Sequence, residues 1–372
     1  MTETPESGDP ARWATWREIH AQPGIWRDWA ATLDVAGLRD WIAGLGVDEV
    51  WFCGAGTSAF IGDIVVAGLE GVPGPTLRAV PTTDLVARPH AYLTGRRPLV
   101  VSFGRSGNSS ESIGTLDALD ALAPHAPRLH ITCNADGTLA TRTGGGETRV
   151  VLLPPATHDA GFAMTSSFST MFLTALALVD ASVAPSSIWD EANDGGYLHT
   201  LADALEGLLP TLPDAIGDAP ARAVFVGSGP LAHAARECAL KVMELAAGAI
   251  PAIWGSSLGF RHGPKSFVTD GTLIAVLTGP DDTHSAPYDT DLIAELRDQY
   301  PASRVLSIGP GGDVEIPMPL GPLWSAPLSI AVSQVAGVIW ADAMDLDVDD
   351  PFAGRGTLSR VVSGVTLYPV AR

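Results

Sequence analysis

Two groups of residues carry the chemistry this chain can be expected to do. The first is Ser106-Gly107-Asn108-Ser109, continued by Ser110, between an apolar run ending at Ser102 and residues with helical spacing at Ile113, Leu116, Leu119 and Leu122. A helix start offers unpaired N–H groups and the positive end of the helix dipole. Three serine hydroxyls add donors, and Gly107 lets the backbone approach an anion closely. The stretch therefore reads as a phosphate site of the strand–loop–helix kind, with Asn108 and Glu111 spaced as a capping box. An ordinary capped helix with surface serines has the same residues. No Gly-Lys-Ser/Thr follows, and the Gly-x-Gly-x-x-Gly spacing is missing here and after Gly54, which excludes the nucleotide-triphosphate and dinucleotide loops.

The second group is Glu237, Lys241 and Glu244, at i, i+4 and i+7 on one helix face, followed by His262 in Gly259-Phe260-Arg261-His262-Gly263-Pro264-Lys265. Such a stripe is either a solvated row of ion pairs or an acid–base cluster. A histidine in a polar loop is suited to moving protons near neutral pH. Lys241 and Lys265 are the two lysines of the whole chain, whose other twenty basic residues are arginines, and both fall in this region. Neither cofactor nor metal is expected. His158, His233 and His262 lack ligand spacing, and the cysteines are unpaired in sequence. Carboxylate, ammonium and imidazole, with a phosphate loop elsewhere in the chain, suit proton transfer on a phosphorylated sugar.

The elements that must position these groups repeat. Strand-like runs at 50–53, 99–102, 129–132 and 150–153 alternate with helical stretches, and similar runs at 223–226, 273–278 and 304–308 follow about 175 residues later. This predicts an α/β protein of two tandem halves, each a parallel sheet flanked by helices. Expected divisions are a helical extension at 1–45, broken at Pro23-Gly24, a first domain at 46–190, a second at 197–350 and a tail at 351–372 that closes the site. The linker is read at 182–196. Half two has Gly279-Pro280-Asp281-Asp282 where half one has its serine loop, so one phosphate site per chain is expected. The 372 residues include 42 acidic and 22 basic side chains, a formal charge of −20, which disfavours nucleic acid and anionic membranes as partners. Cys53, Cys133 and Cys238 read as free buried thiols of a reducing compartment. No signal peptide is seen in Met1-Thr2-Glu3-Thr4-Pro5, and the longest apolar stretch noted, Met171 to Val179, is too short to span a bilayer. A cytoplasmic location is expected.

Ser102-Phe103-Gly104-Arg105-Ser106-Gly107-Asn108-Ser109-Ser110-Glu111-Ser112 resembles the phosphosugar loop of the sugar isomerase (SIS) domain. Phe162-Ala163-Met164-Thr165-Ser166-Ser167-Phe168, Leu258 to Ser266 and Arg360 to Pro369 resemble a narrower branch. That branch is the AgaS-type tagatose-6-phosphate ketose/aldose isomerase family, also described as galactosamine-6-phosphate deaminase/isomerase. The resemblance covers nearly the whole chain. It implies two tandem SIS domains of flavodoxin-like, doubly wound form and a homodimer with a shared site, in which His262 comes from the adjacent subunit. It further implies that Ser106 and Ser109 hold phosphate beside Arg105, that Glu244 moves a proton between C1 and C2 with Lys241 beside it, and that His262 assists ring opening. Gly56, Thr57, Ser58, Asn108, Thr165, Ser166, Glu237, Arg261 and Lys265 are implied as substrate-binding. Compared with the related glucosamine-6-phosphate synthase, no glutamine amidotransferase domain is seen, and Ser363 stands where the synthase has a Schiff-base lysine, which argues against an imine with fructose 6-phosphate. The expected reaction is conversion of galactosamine 6-phosphate to tagatose 6-phosphate and ammonia. The alternatives are a non-catalytic phosphosugar sensor, or an isomerase of another hexose or hexosamine 6-phosphate.

Overall fold

The computed structural model describes residues 9–189, 195–356 and 358–371. The opening residues Met1 to Pro5 and the middle of the expected linker, 190–194, lie outside the described residues. The chain forms two compact units that interleave in sequence. One comprises Ile25–His158, Ser166–Gly196 and Leu358–Arg372, the other Met1–Gly24, Asp159–Thr165 and Tyr197–Thr357.

In the first of these, strands β1 (Glu49–Cys53), β2 (Thr76–Ala79), β3 (Leu99–Gly104), β4 (Arg128–Thr132) and β5 (Thr148–Leu152) form one parallel sheet in the order β2-β1-β3-β4-β5. In the second, β6 (Arg222–Gly227), β7 (Ala252–Ser256), β8 (Thr272–Leu277), β9 (Arg304–Gly309) and β10 (Val314–Glu315) repeat that order as β7-β6-β8-β9-β10. This is the flavodoxin-like order, in which ligands bind beyond the carboxyl ends of the strands. The duplication extends to backbone detail. Gly56 (φ 55°, ψ −133°) and Gly229 (φ 57°, ψ −129°) begin the helices after β1 and β6 in the same conformation. Strands β2, β7 and β10 are additions to the sequence reading. Their partly exposed residues lack the continuous apolar run that marks a central strand.

Two expectations are corrected. Helix α1 (Ala14–Ala30) runs unbroken through Pro23. Proline removes the N–H that would bond the carbonyl of Ile19. The Gln22 side-chain amide supplies the missing donor, its Nε2 lying 3.1 Å from Ile19 O, while also bonding Gln334 Oε1 at 3.1 Å. Among the described residues, the apolar helical stretch Gly321–Ala343 is longer than the one that contains Met171 to Val179. By length and composition it could cross a membrane, but its Leu328, Val335 and Trp340 are buried in the core of the second unit. All three cysteines are buried and outside any disulfide, as expected, and burial pushes the Cys53 and Cys238 thiols up to about 12, which leaves them inert.

Candidate active site

In the first unit, β3 delivers the chain into the serine loop and then helix α2 (Ser110–Leu122), which is anchored by buried Leu116 and Leu119. The helix cap is Ser109 and not Asn108. Ser109 Oγ accepts from Ser112 N at 3.3 Å and pairs with Ser112 Oγ at 2.8 Å. The Oδ1 of Asn108 instead accepts from Thr138 N at 2.8 Å and Thr138 Oγ1 at 2.9 Å. Asn134 Nδ2 holds the carbonyl of Ser106 at 2.9 Å, so neighbouring segments pin the loop on two sides. The buried Arg105 donates to the carbonyl of Arg360 at 3.1 Å, and Ser110 N donates to that of Val362 at 3.2 Å. The tail from Leu358 thus lies over the start of this helix, within the same unit.

Gly107 has φ 65°, and a Cβ there would sit 3.3 Å from both Leu139 Cβ and Thr132 Oγ1. Gly107→Ala is therefore expected to cost about 1–2 kcal/mol of stability from the left-handed conformation alone. It should also raise KM for a phosphorylated substrate more than it lowers kcat. Urea unfolding and steady-state kinetics check the two effects separately.

Thr57 and Ser58 are buried at the start of the helix Thr57–Gly68, directly after Gly56. Ser166 is buried at the start of Ser166–Val179 in the same unit. Thr165 belongs to the other unit and is fully buried. It donates to Asp159 through its hydroxyl at 3.0 Å and its N–H at 2.9 Å, so its side chain is committed to holding its own loop.

In the second unit, helix α3 (Pro230–Leu245) carries Glu237, Lys241 and Glu244. The stripe is not solvated. Glu237 and Lys241 have fully buried side chains, while that of Glu244 keeps 24% of its exposure. Lys241 Nζ lies 2.5 Å from Glu244 Oε2 and 3.4 Å from Glu237 Oε1. Burial alone would lower the lysine's pKa, but the charges of Glu237 and Glu244 outweigh it and hold Lys241 protonated, above its ordinary value. The result is one ammonium shared by a buried carboxylate and an accessible one. The helix is held against Ala326–Ala343, where Gly337 admits Leu245: a Cβ on Gly337 would fall 2.6 Å from Leu245 Cδ1.

His262 follows the short helix Ser257–Phe260, whose Ser256 cap accepts from Gly259 N at 3.1 Å and whose Phe260 is buried in the core. The histidine is exposed. Its neighbours Arg261 and Lys265, expected to touch substrate, are both engaged by Glu295, with Arg261 Nε 2.7 Å from Glu295 Oε2. Among the described residues no group of three or more His, Cys, Asp or Glu is placed to hold a metal ion.

Glu18 escaped the sequence reading because nothing local marks it. Its carboxylate accepts from Ala160 N at 2.5 Å and Gly161 N at 3.3 Å, on the loop that carries Asp159 and Thr165. Burial, reinforced by the charges of Asp159 and Asp349, raises its pKa from 4.5 to about 7. The folded protein therefore holds this proton over a window where the unfolded chain has released it, and stability contributed by the site falls as pH rises from 4.5 to about 7. Glu18→Gln is expected to melt with the wild type near the bottom of this window and above it at pH of about 8, as thermal unfolding across pH checks. Asp289 was missed for the same reason. It is a buried carboxylate that accepts from Ser228 Oγ at 2.7 Å, beside the glycine turn of the second half. That half thus places a buried carboxyl group at its own turn, and burial raises its pKa.

A family model of the SIS domain matches residues 47–181. D-galactosamine-6-phosphate deaminase AgaS from Escherichia coli is 39% identical to this chain, covering 98% of it and 99% of the relative. The chain belongs to the AgaS family of SIS-domain proteins. Among solved structures, the tagatose-6-phosphate ketose/aldose isomerase from Escherichia coli matches with a TM-score of 0.83 at 34% identity, covering 98% of this chain and all of its own. The glucosamine-6-phosphate deaminase from Thermotoga maritima, at 22% identity and a TM-score of 0.73, shares the fold.

Proposed function

We propose that this AgaS-family chain is a phosphosugar isomerase/deaminase that converts galactosamine 6-phosphate and water to tagatose 6-phosphate and ammonia. The observation that carries the reading is the buried Glu237–Lys241–Glu244 row, in which Glu244 alone reaches solvent. The identity of the Escherichia coli deaminase over nearly the whole chain supports the choice of substrate.

The roles divide as follows. Ser106, Ser109 and the helix start receive the phosphate, with Arg105 contributing charge. His262 transfers the proton that opens the sugar ring to the free aldehyde. Glu244 removes the proton from C2, giving an enolamine, and returns it to C1. Lys241 pairs with Glu244 and offsets the negative charge that develops on the enolic oxygen. The product is an imine at C2, which water hydrolyses to the ketose and ammonia. Gly56, Thr57, Ser58, Asn108 and Ser166 shape the sugar and phosphate surroundings, while Glu237 and Thr165 act from behind. No electrons leave the substrate, so the sequence needs no redox partner. The same steps on a 2-hydroxy sugar give plain isomerisation, a second reading favoured by the ketose/aldose isomerase of matching structure.

We further propose that the protein works in the cytoplasm as a homodimer in which His262 of one copy serves the site of the other. The exposure of His262 supports this. The test of the reaction is incubation with galactosamine 6-phosphate and glucosamine 6-phosphate, with ammonia and ketose measured together. Ketose without ammonia from a 2-hydroxy hexose phosphate would favour the second reading. Absence of turnover on every hexose and hexosamine phosphate would sink both.

A further inference from the structure

We propose that Glu295 is a positioning residue for His262, which it holds in its working place by bridging the two cations on either side of it. This rests on the reading in which His262 opens the sugar ring.

The bridge closes around the histidine. Glu295 Oε2 accepts from Arg261 Nε at 2.7 Å, and Glu295 Oε1 accepts from Lys265 Nζ. One carboxylate thus ties the residue before His262 to the residue three after it. His262, Gly263 and Pro264 are exposed, and Gly263 has φ 121°, a conformation other residues rarely adopt. His262 N bonds Gly259 O at 2.9 Å and Ser266 N bonds Gly263 O at 3.0 Å. Left to themselves, Arg261 and Lys265 would repel one another and splay the turn.

The clamp is itself fixed. Glu295 lies on the helix Ala286–Gln299, whose Leu292, Ile293 and Leu296 pack in one core cluster with Phe260, the residue that anchors the near side of the His262 turn. Glu295 and Gln299 are one helical turn apart and share a face. Both receive Lys265, whose Nζ is 2.7 Å from Gln299 Oε1. This gives a reason for a lysine here in a chain otherwise built on arginine. An ammonium has three donors on a flexible stem and can serve two acceptors stacked along a helix, where a planar guanidinium would favour one carboxylate. The pair also accounts for Arg261 and Lys265 without assigning either to the substrate.

The test is kinetic, on the full chain with galactosamine 6-phosphate. Glu295→Gln is expected to lower kcat about tenfold or more, because a small displacement of a proton-transfer group is costly, with KM changed less than about twofold. Its melting temperature should stay close to that of the wild type, since a partly exposed ion pair contributes little to stability. Glu295→Asp, which keeps the charge at shorter reach, should recover part of the rate. In a His262→Ala background, Glu295→Gln should cause no further loss, because the group it positions is gone. A full additional loss in that background, wild-type kcat in Glu295→Gln, or a loss confined to KM would overturn the proposal, the last by placing Arg261 or Lys265 on the substrate. If Glu295→Gln does not fold, Lys265→Met, which releases one arm, is put through the same cycle with the same criteria. Wild-type kcat in His262→Ala alone would sink the reading of His262, and the clamp with it, which separates that failure from failure of the clamp.

Discussion

Glu244→Gln is expected to lower kcat on galactosamine 6-phosphate by about two to four orders of magnitude, the usual contribution of a general base, while KM stays within a few-fold of the wild type. The glutamine keeps the size of the side chain and an oxygen that can accept from Lys241 Nζ, 2.5 Å away in the wild type. What it loses is the ability to take a proton. KM should be spared because the proposed phosphate donors, Ser106, Ser109 and the start of Ser110–Leu122, lie on the other sheet and depend on local contacts with Asn134 and Thr138. The measurement is ammonia release under saturating substrate, paired with exchange of the C2 proton into deuterated water. A variant that still exchanges this proton at the wild-type rate would remove Glu244 from the role of base. A rise in KM with kcat unchanged would make it a binding residue.

Lys241→Met is expected to destabilise the protein by about 3–5 kcal/mol, as removal of one partner from a buried ion pair does. The reason lies in Glu237. Its side chain is fully buried and faces Lys241 Nζ at 3.4 Å, so loss of the ammonium removes a cation that stands against a buried carboxylate. Glu244, partly exposed, can turn to water. The asymmetry makes a second expectation: Glu237→Gln combined with Lys241→Met should recover a large part of the loss, since no buried charge then remains. Urea midpoints of the single and double variants decide this. A Lys241→Met midpoint equal to wild type would show that the row does not hold a buried charge. The double variant should stay inactive even where it is stable, because it lacks the ammonium proposed to offset the charge that develops on the substrate.

Much of this site was legible because helical and strand periodicities are local. Glu237, Lys241 and Glu244 share a face by spacing alone, and the serine loop follows an apolar run and opens an apolar helix. The sign of their environment was not legible. The same row suits water or a core, and only the packed structure shows Glu237 and Lys241 fully buried, on a helix that meets Ala326–Ala343 at Leu245 and Gly337. The helix cap falls one residue later than expected, at Ser109, and Asn108 Oδ1 is engaged by Thr138, thirty residues further along the chain. Helix Ala14–Ala30 survives Pro23 because Gln22 repairs the missing bond, which the proline by itself gives no hint of.

By itself the sequence determined the strand–loop–helix setting of the serine loop, the duplicated α/β order, the shared face of Glu237, Lys241 and Glu244 and the histidine turn, together with the resemblance that joined them to one family. Each is set by residues within a few turns or strands of one another, where sterics and periodicity dominate. Tertiary structure alone decided which charges are buried and which pairs form across distant segments. Glu18 on the Asp159 loop, Asp289 at the Ser228 turn and Glu295 across the His262 turn are all of this second kind. Their roles depend on local dielectric and on partners brought close only by packing, and neither quantity is written in the spacing of residues along the chain.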